Sequence, residues 1–179
     1  MRQLDYAQMF HHMHPGFFER ESIRRIPRNE VFEEMILWLD GFSPDAVKID
    51  APPRITFDYY DGDLDTLLDA VAQVEEGWLP IYREPNRVFC AFDGGRPVSF
   101  CIVEPMGSYA SLKIGGPGCV GTVPDYRKRG IGLRMVQLAT GILKKEGFDL
   151  SYIHYTGVAK WYAKLGYQSI LKWNGEGLL

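Results

Sequence analysis

Residues 119–132, with the sequence C-V-G-T-V-P-D-Y-R-K-R-G-I-G, decide the fold. The apolar run up to Val123 predicts a β-strand, and Pro124 ends it because proline offers no main-chain donor to a sheet. Gly130 opens a pattern that predicts a helix over 130–146, which closes with a basic last turn followed by Gly147. The stretch is therefore predicted to run from a strand through a tight turn into a helix.

The turn itself predicts a site for an anion. The first turn of a helix leaves main-chain N–H groups without intrahelical partners, and the helix dipole favours negative charge there. Gly130 and Gly132 have no Cβ, so a phosphate oxygen can approach the main chain closely. Arg127, Lys128 and Arg129 add positive charge. The spacing R-x-x-G-x-G matches neither the P-loop nor the dinucleotide fingerprint. A diphosphate site is expected, and a nucleotide- or phosphosugar-binding protein, or a tightly packed turn beside a solvated basic loop, stays open as an alternative.

The rest of the chain alternates between the two kinds of element. Asp93-Gly94-Gly95-Arg96 separates two strand-like runs and predicts a hairpin, whereas residues 115–118, G-G-P-G, are expected to interrupt a strand. Helices are predicted over 29–39, 64–81, 130–146 and 158–165, and strands over 55–60, 87–92, 97–103, 109–114, 119–123, 149–155 and 167–173. This order predicts an α+β or mixed α/β sheet flanked by helices.

Residues 1–54 are predicted to form a helical N-terminal extension and connector ahead of a main domain over 55–179. The three histidines His11, His12 and His14 lack a second ligand group, so no metal site is expected and the stretch is interpreted as partly mobile surface. Residues 15–40 are too apolar for a free tail. We expect them to pack on the core, on a partner subunit or over the acceptor cleft.

Bulk composition excludes several classes of protein. The chain has 179 residues, a formal net charge of −3 and 46% hydrophobic residues, which predicts a folded protein without a general attraction to nucleic acid or to anionic membranes. No stretch approaches the ~20 apolar residues of a membrane span, and the N-terminus has no signal-peptide pattern. Three cysteines without metal spacing predict reduced thiols and a cytoplasmic location. A homodimer is left open.

Two segments resemble one family. V-P-D-Y-R-K-R-G-I-G resembles the acetyl-CoA signature of the GNAT acyltransferase superfamily, R/Q-x-x-G-x-G/A after a strand, and residues 159–167, A-K-W-Y-A-K-L-G-Y, are similar to its penultimate helix. The resemblance covers residue 55 to the end. It implies a mixed, mostly antiparallel sheet whose central strands splay apart around the pantetheine arm of acetyl-CoA, the co-substrate. The arm would follow Val120, Gly121, Thr122 and Val123. The diphosphate would bind the amides of Arg129, Gly130, Ile131 and Gly132, with Arg127 as the leading basic residue.

The resemblance also implies chemistry: an amine attacks the thioester directly, and Tyr162 gives a proton to the leaving sulfur. Without the motif, Tyr162 is better explained as an aromatic core residue on a short helix. A general base or a chain of water molecules is expected to deprotonate the ammonium. His154 is a candidate because a free imidazole titrates near neutral pH, and Glu104 is an alternative. Cys119 is interpreted as a small buried residue.

One position departs from the family pattern. Many relatives place an asparagine where this chain has Tyr155, so Thr156 either replaces that contact or caps the short helix. The acceptor is expected to be a small-molecule or peptide amine. The alternative function is a module that binds acyl-CoA without turnover.

Overall fold

Eight strands form one mixed sheet in the computed structural model, which describes residues 4–84 and 86–179. The strands are β1 Phe32–Trp38, β2 Ile55–Tyr59, β3 Val88–Asp93, β4 Arg96–Tyr109, β5 Leu112–Thr122, β6 Leu150–Thr156, β7 Gln168–Asn174 and β8 Gly177–Leu178. Their order is β2-β3-β4-β5-β6-β1-β7-β8, and every neighbouring pair is antiparallel except β5 and β6. The predicted mixed, mostly antiparallel sheet is confirmed.

Helices cover both faces of the sheet. They are α1 Tyr6–Met13, α2 Glu21–Arg24, α3 Leu64–Ala72, α4 Leu79–Arg83, α5 Ile131–Lys145 and α6 Ala159–Tyr162. Side chains of a strand alternate between faces: Cys101 and Val103 of β4 pack in the cluster that α5 buries, whereas Phe100 and Ile102 pack with α3 and α4. No helix among the described residues has the length and apolar character needed to cross a bilayer.

The helix predicted over 29–39 is wrong, because most of this segment forms β1. A short apolar run cannot be assigned to helix or strand from spacing alone. β1 lies between β6 and β7 and is covered on both sides: Met35 packs in the cluster of α5 and Ile36 in the cluster of α1. A segment of the predicted N-terminal extension is therefore an inner strand of the sheet.

The prediction of a break at residues 115–118 is also wrong. β4 and β5 form a long hairpin that turns at Ala110 and Ser111, both with positive φ, and the four residues lie inside β5. A Cβ on Gly116 would lie 2.2 Å from the carbonyl oxygen of Tyr152. Glycine is thus required where β5 and β6 approach each other. The hairpin predicted at residues 93–96 is confirmed, with Gly94 and Gly95 at positive φ.

The helix predicted over 64–81 is divided into α3, a 3₁₀ turn at Glu76–Trp78 and α4. Asp63 caps α3 by accepting the amide of Thr66 at 2.8 Å. Pro80 stands in the first turn of α4, where its missing N–H costs nothing, so a new helix begins there.

The histidine-rich N-terminus is not a mobile surface stretch. Asp5 caps α1, and Met9 and Phe10 are fully buried. The ring of Phe10 packs edge-on against Phe17 at 5.3 Å. Burial of this apolar face holds α1 against the sheet, on the face opposite α5, and so fixes the position of His14 at the end of the helix.

Candidate active site

β5 and β6 separate in the middle of the sheet. They pair in parallel at Ile114 with Leu150 and at Gly115 with Ser151, and the paired register ends there. Beyond this point a cavity of about 830 Å³ lies between the two strands, lined by residues 117–120 of β5 and 152–156 of β6. The splayed central strands expected from the resemblance are present.

A β-bulge shapes the β5 wall of this cavity. Phe100 of β4 pairs with Gly121 and Ile102 pairs with Gly118, so two residues of β5 stand opposite Cys101. Cys119 has φ 47°, and its carbonyl oxygen accepts the hydroxyl of Tyr82 at 2.7 Å. Bulges redirect the main chain and are common beside active sites.

The helix α5 begins beside this wall. A Cβ on Gly132 would lie 2.6 Å from Thr122 Oγ1 and 3.5 Å from the Trp161 ring, so the first turn of α5 contacts the end of β5 and α6. The first α-helical bond runs from the Arg134 amide to the Gly130 carbonyl. Among the described hydrogen bonds, no main-chain amide of residues 128–133 is a donor. These amides are available to an anion.

Gly130 cannot carry a side chain. It has φ 76°, and a Cβ there would lie 2.1 Å from the carbonyl oxygen of Asp50. The connector ahead of β2 therefore packs against the turn that precedes α5 and helps to fix it.

Three basic side chains form an exposed rim around the turn. Arg127 donates its Nε–H to the Thr122 carbonyl at 2.9 Å, and the Arg129 guanidinium lies 5.6 Å from the Tyr126 ring centre. Lys128 has φ 61°. All three are exposed, so their positive charges are accessible to an anion in solution.

The residues predicted to follow the pantetheine arm do not all line the cavity. Val120 lines the cavity, whereas Gly121 and Val123 are buried inside the fold. The Thr122 hydroxyl lies 2.8 Å from Ser99 Oγ. Thr156 lines the cavity, and its hydroxyl accepts the Val158 amide at 3.1 Å, as a cap does.

Tyr162 lines the same cavity from α6. Burial raises the pKa of its hydroxyl well above the ordinary value, so the group keeps its proton at neutral pH. No described hydrogen bond uses this hydroxyl, and it is not among the enclosed atoms that lack a partner. A protonated hydroxyl that is accessible in a cavity can donate to a leaving group.

Three further groups reach the cavity. His154 and Glu104 both line it, and desolvation raises the pKa of the Glu104 carboxyl. Cys119 lines it too, and so is partly exposed rather than the buried residue that was expected. Burial raises the pKa of its thiol to about 11, which leaves it protonated and a weak nucleophile at neutral pH.

Two residues that the sequence did not indicate meet His154. Glu34 of β1 is fully buried and lies with its Oε2 2.9 Å from His154 Nδ1. The His14 ring stacks on the His154 ring with 3.9 Å between centroids. The only feature of the sequence that could have indicated Glu34 as a site residue is its position as a carboxylate inside an apolar run. Nothing in the sequence indicates that His14 contacts β6.

Comparison with known proteins agrees with this geometry. Residues 84–169 match the model of the acetyltransferase (GNAT) domain family. No curated protein is similar enough in sequence to count as a match.

Solved structures share the fold at low sequence identity. A GCN5-related glucosamine N-acetyltransferase region of a fungal multi-domain GH3 β-N-acetylglucosaminidase has a TM-score of 0.68 at 19% identity, covering 97% of this chain and 23% of that one. A GCN5-related N-acetyltransferase from Sphaerobacter thermophilus has a TM-score of 0.62 at 19% identity, with 96% and 55% covered. The chain thus spans about a quarter and about half of these two proteins.

A third similar structure was solved with a ligand. AAC(6')-Iy, in complex with the bisubstrate analogue CoA-S-monomethyl-acetylneamine, has a TM-score of 0.53 at 13% identity, covering 64% of this chain and 90% of that one. The family match over residues 84–169, the splayed strands and the glycine turn agree with one another, and the chain has the fold of these GNAT structures.

Proposed function

We propose that the protein transfers an acetyl group from acetyl-CoA to an amine by direct attack of the amine on the thioester. The observation that carries the proposal is the divergence of β5 from β6 around a large cavity, beside the free amides at the start of α5. A gap between strands accepts an extended ligand arm, and the helix start accepts its charged end.

Acetyl-CoA would then bind as co-substrate along these features. The amides of Arg129, Gly130, Ile131 and Gly132 would hold the diphosphate, and the basic rim would add charge-assisted contacts. The pantetheine arm would follow the cavity edge of β5 near Val120, where β6 has already separated.

The acceptor would enter the same cavity from its other wall. Glu104 lines the cavity together with apolar groups that include Trp78, Met106 and Phe32. Carboxylates attract an ammonium group, and apolar walls exclude water from the thioester. The two substrates lie side by side, which supplies proximity and orientation.

Proton transfers complete the reaction. His154 would take a proton from the ammonium, so that the free amine attacks the carbonyl carbon of the thioester. A carbon–nitrogen bond forms and the carbon–sulfur bond breaks. The nitrogen would lose its second proton to solvent, and Tyr162 would give one to the sulfur and regain one from solvent. His154 would release its proton to solvent, so the products are a neutral amide, the free thiol of CoA and one net proton.

Thiol release from acetyl-CoA in the presence of a mixed library of amines tests the proposal. We expect release that depends on the added amine and scales with enzyme. A protein that binds CoA but releases no thiol with any amine would be a binding module, the alternative function. A protein that does not bind CoA at all would overturn both.

A thermal-shift competition tests ligand binding separately from turnover. Ligand at about 100 times Kd stabilises a protein by about 2.7 kcal/mol. We expect acetyl-CoA to raise the unfolding midpoint and ATP to have a much weaker effect. A stronger effect of ATP would favour a nucleotide-binding protein instead.

A further inference from the structure

Glu34 is a fully buried carboxylate that contacts three residues of the cavity wall, Tyr152, His154 and Tyr155. Its Oε2 accepts the Tyr152 hydroxyl and lies 2.9 Å from His154 Nδ1, and its Oε1 accepts the Trp173 indole N–H at 2.7 Å and the Tyr155 amide at 3.1 Å. No Lys or Arg of the described residues forms an ion pair with it. Burying a carboxylate costs free energy, and apolar residues of similar volume would stabilise the fold equally well. This arrangement therefore indicates a functional role.

A distortion of β6 creates one of these contacts. Glu33 pairs with Thr156 and Met35 with Ile153, so β6 has an extra residue opposite Glu34. Tyr155 lies in this bulge with φ 60°, a conformation that tyrosine rarely adopts. The bulge turns the Tyr155 amide away from the strand ladder and toward Glu34 Oε1. Strain at such a position is typical of functional sites.

The contacts of Glu34 bear on which nitrogen of His154 carries the hydrogen. The indole and amide N–H groups both donate to Oε1. An ionised carboxylate has only acceptor oxygens, so with Glu34 ionised its Oε2 accepts from His154 Nδ1, which is then the donor. In the neutral ring the lone pair is on Nε2. That atom has no described partner and is not among the enclosed atoms without one, and His154 lines the cavity. The basic nitrogen is thus the accessible one.

His14 fixes the plane of the same ring. The two imidazoles stack with 14° between their planes, and Phe17 packs edge-on against His154 at 5.2 Å. His14 Nε2 is enclosed without a hydrogen-bond partner. The ligand atoms of His14, Glu34 and His154 lie within 4.8 Å of one another, but the in-plane lone pairs of two nearly parallel rings do not converge on one point as tetrahedral coordination requires. Packing of α1 against the sheet supplies the surface on which His154 rests.

We propose that Glu34 and His14 are positioning residues for His154: Glu34 selects the Nδ1–H tautomer and His14 holds the ring plane, so that Nε2 is the base for the incoming ammonium. The proposal rests on the acetyl transfer proposed above. Proton uptake by Nε2 creates an imidazolium ring. The adjacent Glu34 carboxylate stabilises the positive charge of that ring. Glu34 never touches substrate. The other charged groups around the ring are few: Arg20 acts on His14, and Glu104 lines the cavity.

Nuclear magnetic resonance of the whole protein labelled with ¹⁵N-histidine tests the tautomer without any substrate. We expect His154 in the wild-type protein to carry its hydrogen on Nδ1 at a pH where the ring is neutral. The Nε2–H tautomer would overturn the proposal whatever the variants do. Because this measurement needs no turnover, its failure is distinct from failure of the proposed acetyl transfer.

Kinetics of Glu34→Gln give the second readout. The substitution keeps the shape and removes the charge, so kcat should fall at least 10-fold while KM for acetyl-CoA stays within about 2-fold. Glu33→Gln is the matched control, because the neighbouring Glu33 contacts Ser169 and Lys172 instead and should leave kcat unchanged. Equal kcat in both variants would overturn the role of Glu34.

The role of His14 has its own pair of variants. His14→Phe keeps an aromatic ring on His154 and should retain most of kcat, whereas His14→Ala removes the stack and should lower kcat with little change in KM for acetyl-CoA. If the two variants have the same kcat, the stacked ring is not a positioning group. Should Glu34→Gln not fold, these variants and the wild-type tautomer still decide the proposal.

Discussion

The imidazole of His14 lies flat on that of His154, with 3.9 Å between the ring centroids and 14° between the ring planes. This contact joins the end of α1 to the cavity wall of β6. It makes the N-terminal residues part of the site environment, and it has consequences for stability that can be measured.

The stability of the protein should depend on the protonation of His14. Burial, with His154 nearby, lowers the pKa of His14 from 6.5 to about 4. Between pH 6.5 and 4 the unfolded chain binds more protons at this residue, so its contribution to stability is present above pH 6.5 and is lost as the pH falls through 4. The ring is partly exposed, which limits the effect to the order of 1 kcal/mol.

Urea unfolding of wild type and His14→Phe at pH 7 and pH 4.5 checks this. Carboxylates contribute to acid destabilisation in both proteins, so the difference between the two isolates His14. We expect a smaller loss of unfolding free energy in the variant. Identical losses would contradict the prediction.

Tyr162→Phe should separate catalysis from stability. The hydroxyl has no described hydrogen-bond partner, so its removal should change the unfolding free energy little, while loss of a general acid should lower kcat about 100-fold or more. The control is Tyr167→Phe. The Tyr167 hydroxyl lies 2.6 Å from Ser151 Oγ and 2.8 Å from Thr140 Oγ1, so this variant should lose ~1 kcal/mol of stability and keep its kcat. An unchanged rate in Tyr162→Phe would exclude it as the acid.

Gly130→Ala should cost more than backbone strain alone. Gly147 has a similar φ of 80° and no atom within 4 Å of the Cβ position, whereas at Gly130 the Cβ would collide with the Asp50 carbonyl oxygen. Gly147→Ala should therefore lose ~1 kcal/mol of unfolding free energy, and Gly130→Ala should lose more and also bind CoA more weakly. Chemical denaturation and calorimetric titration with CoA measure the two effects. Equal losses in both variants, with equal CoA affinity, would contradict the packing argument.

Tyr82→Phe should loosen the bulge in β5. It removes the hydroxyl that the Cys119 carbonyl accepts, so we expect a loss of ~1 kcal/mol and a higher KM for acetyl-CoA. Tyr60→Phe is the matched control, because its hydroxyl also donates to a main-chain carbonyl, that of Asp63 at 2.6 Å, but away from the cavity. Steady-state kinetics should show a raised KM only in Tyr82→Phe. The same KM in both would mean that the bulge does not depend on this bond.

Local patterns predicted the parts of the fold that depend on neighbours in sequence. The glycine pair at 94 and 95 indicated the first hairpin, and the boundaries of α5 were predicted within a residue or two. The strand–turn–helix unit at residues 119–132 and the short helix with Tyr162 are present where they were predicted. Each of these features is set over a few residues by turn glycines and by the spacing of apolar residues.

Features that depend on distant pairing were missed. β1 has the composition of either a helix or a strand, and it is a strand because β6 and β7 pair with it on both sides. The glycines at 115 and 116 looked like a strand break, but Gly116 serves the contact of β5 with the Tyr152 carbonyl. Spacing along the chain contains no information about such partners.

The sequence by itself determined the glycine turn before α5 and its basic rim, because unpaired amides, glycine geometry and charge are local properties, and the family resemblance of residues 159–167 indicated Tyr162 as the candidate acid. Only the tertiary structure decided the surroundings of His154. Glu34 and His14 come from a strand and a helix far away in the chain, and they reach the ring because burial of apolar faces packs α1 and β1 against β6.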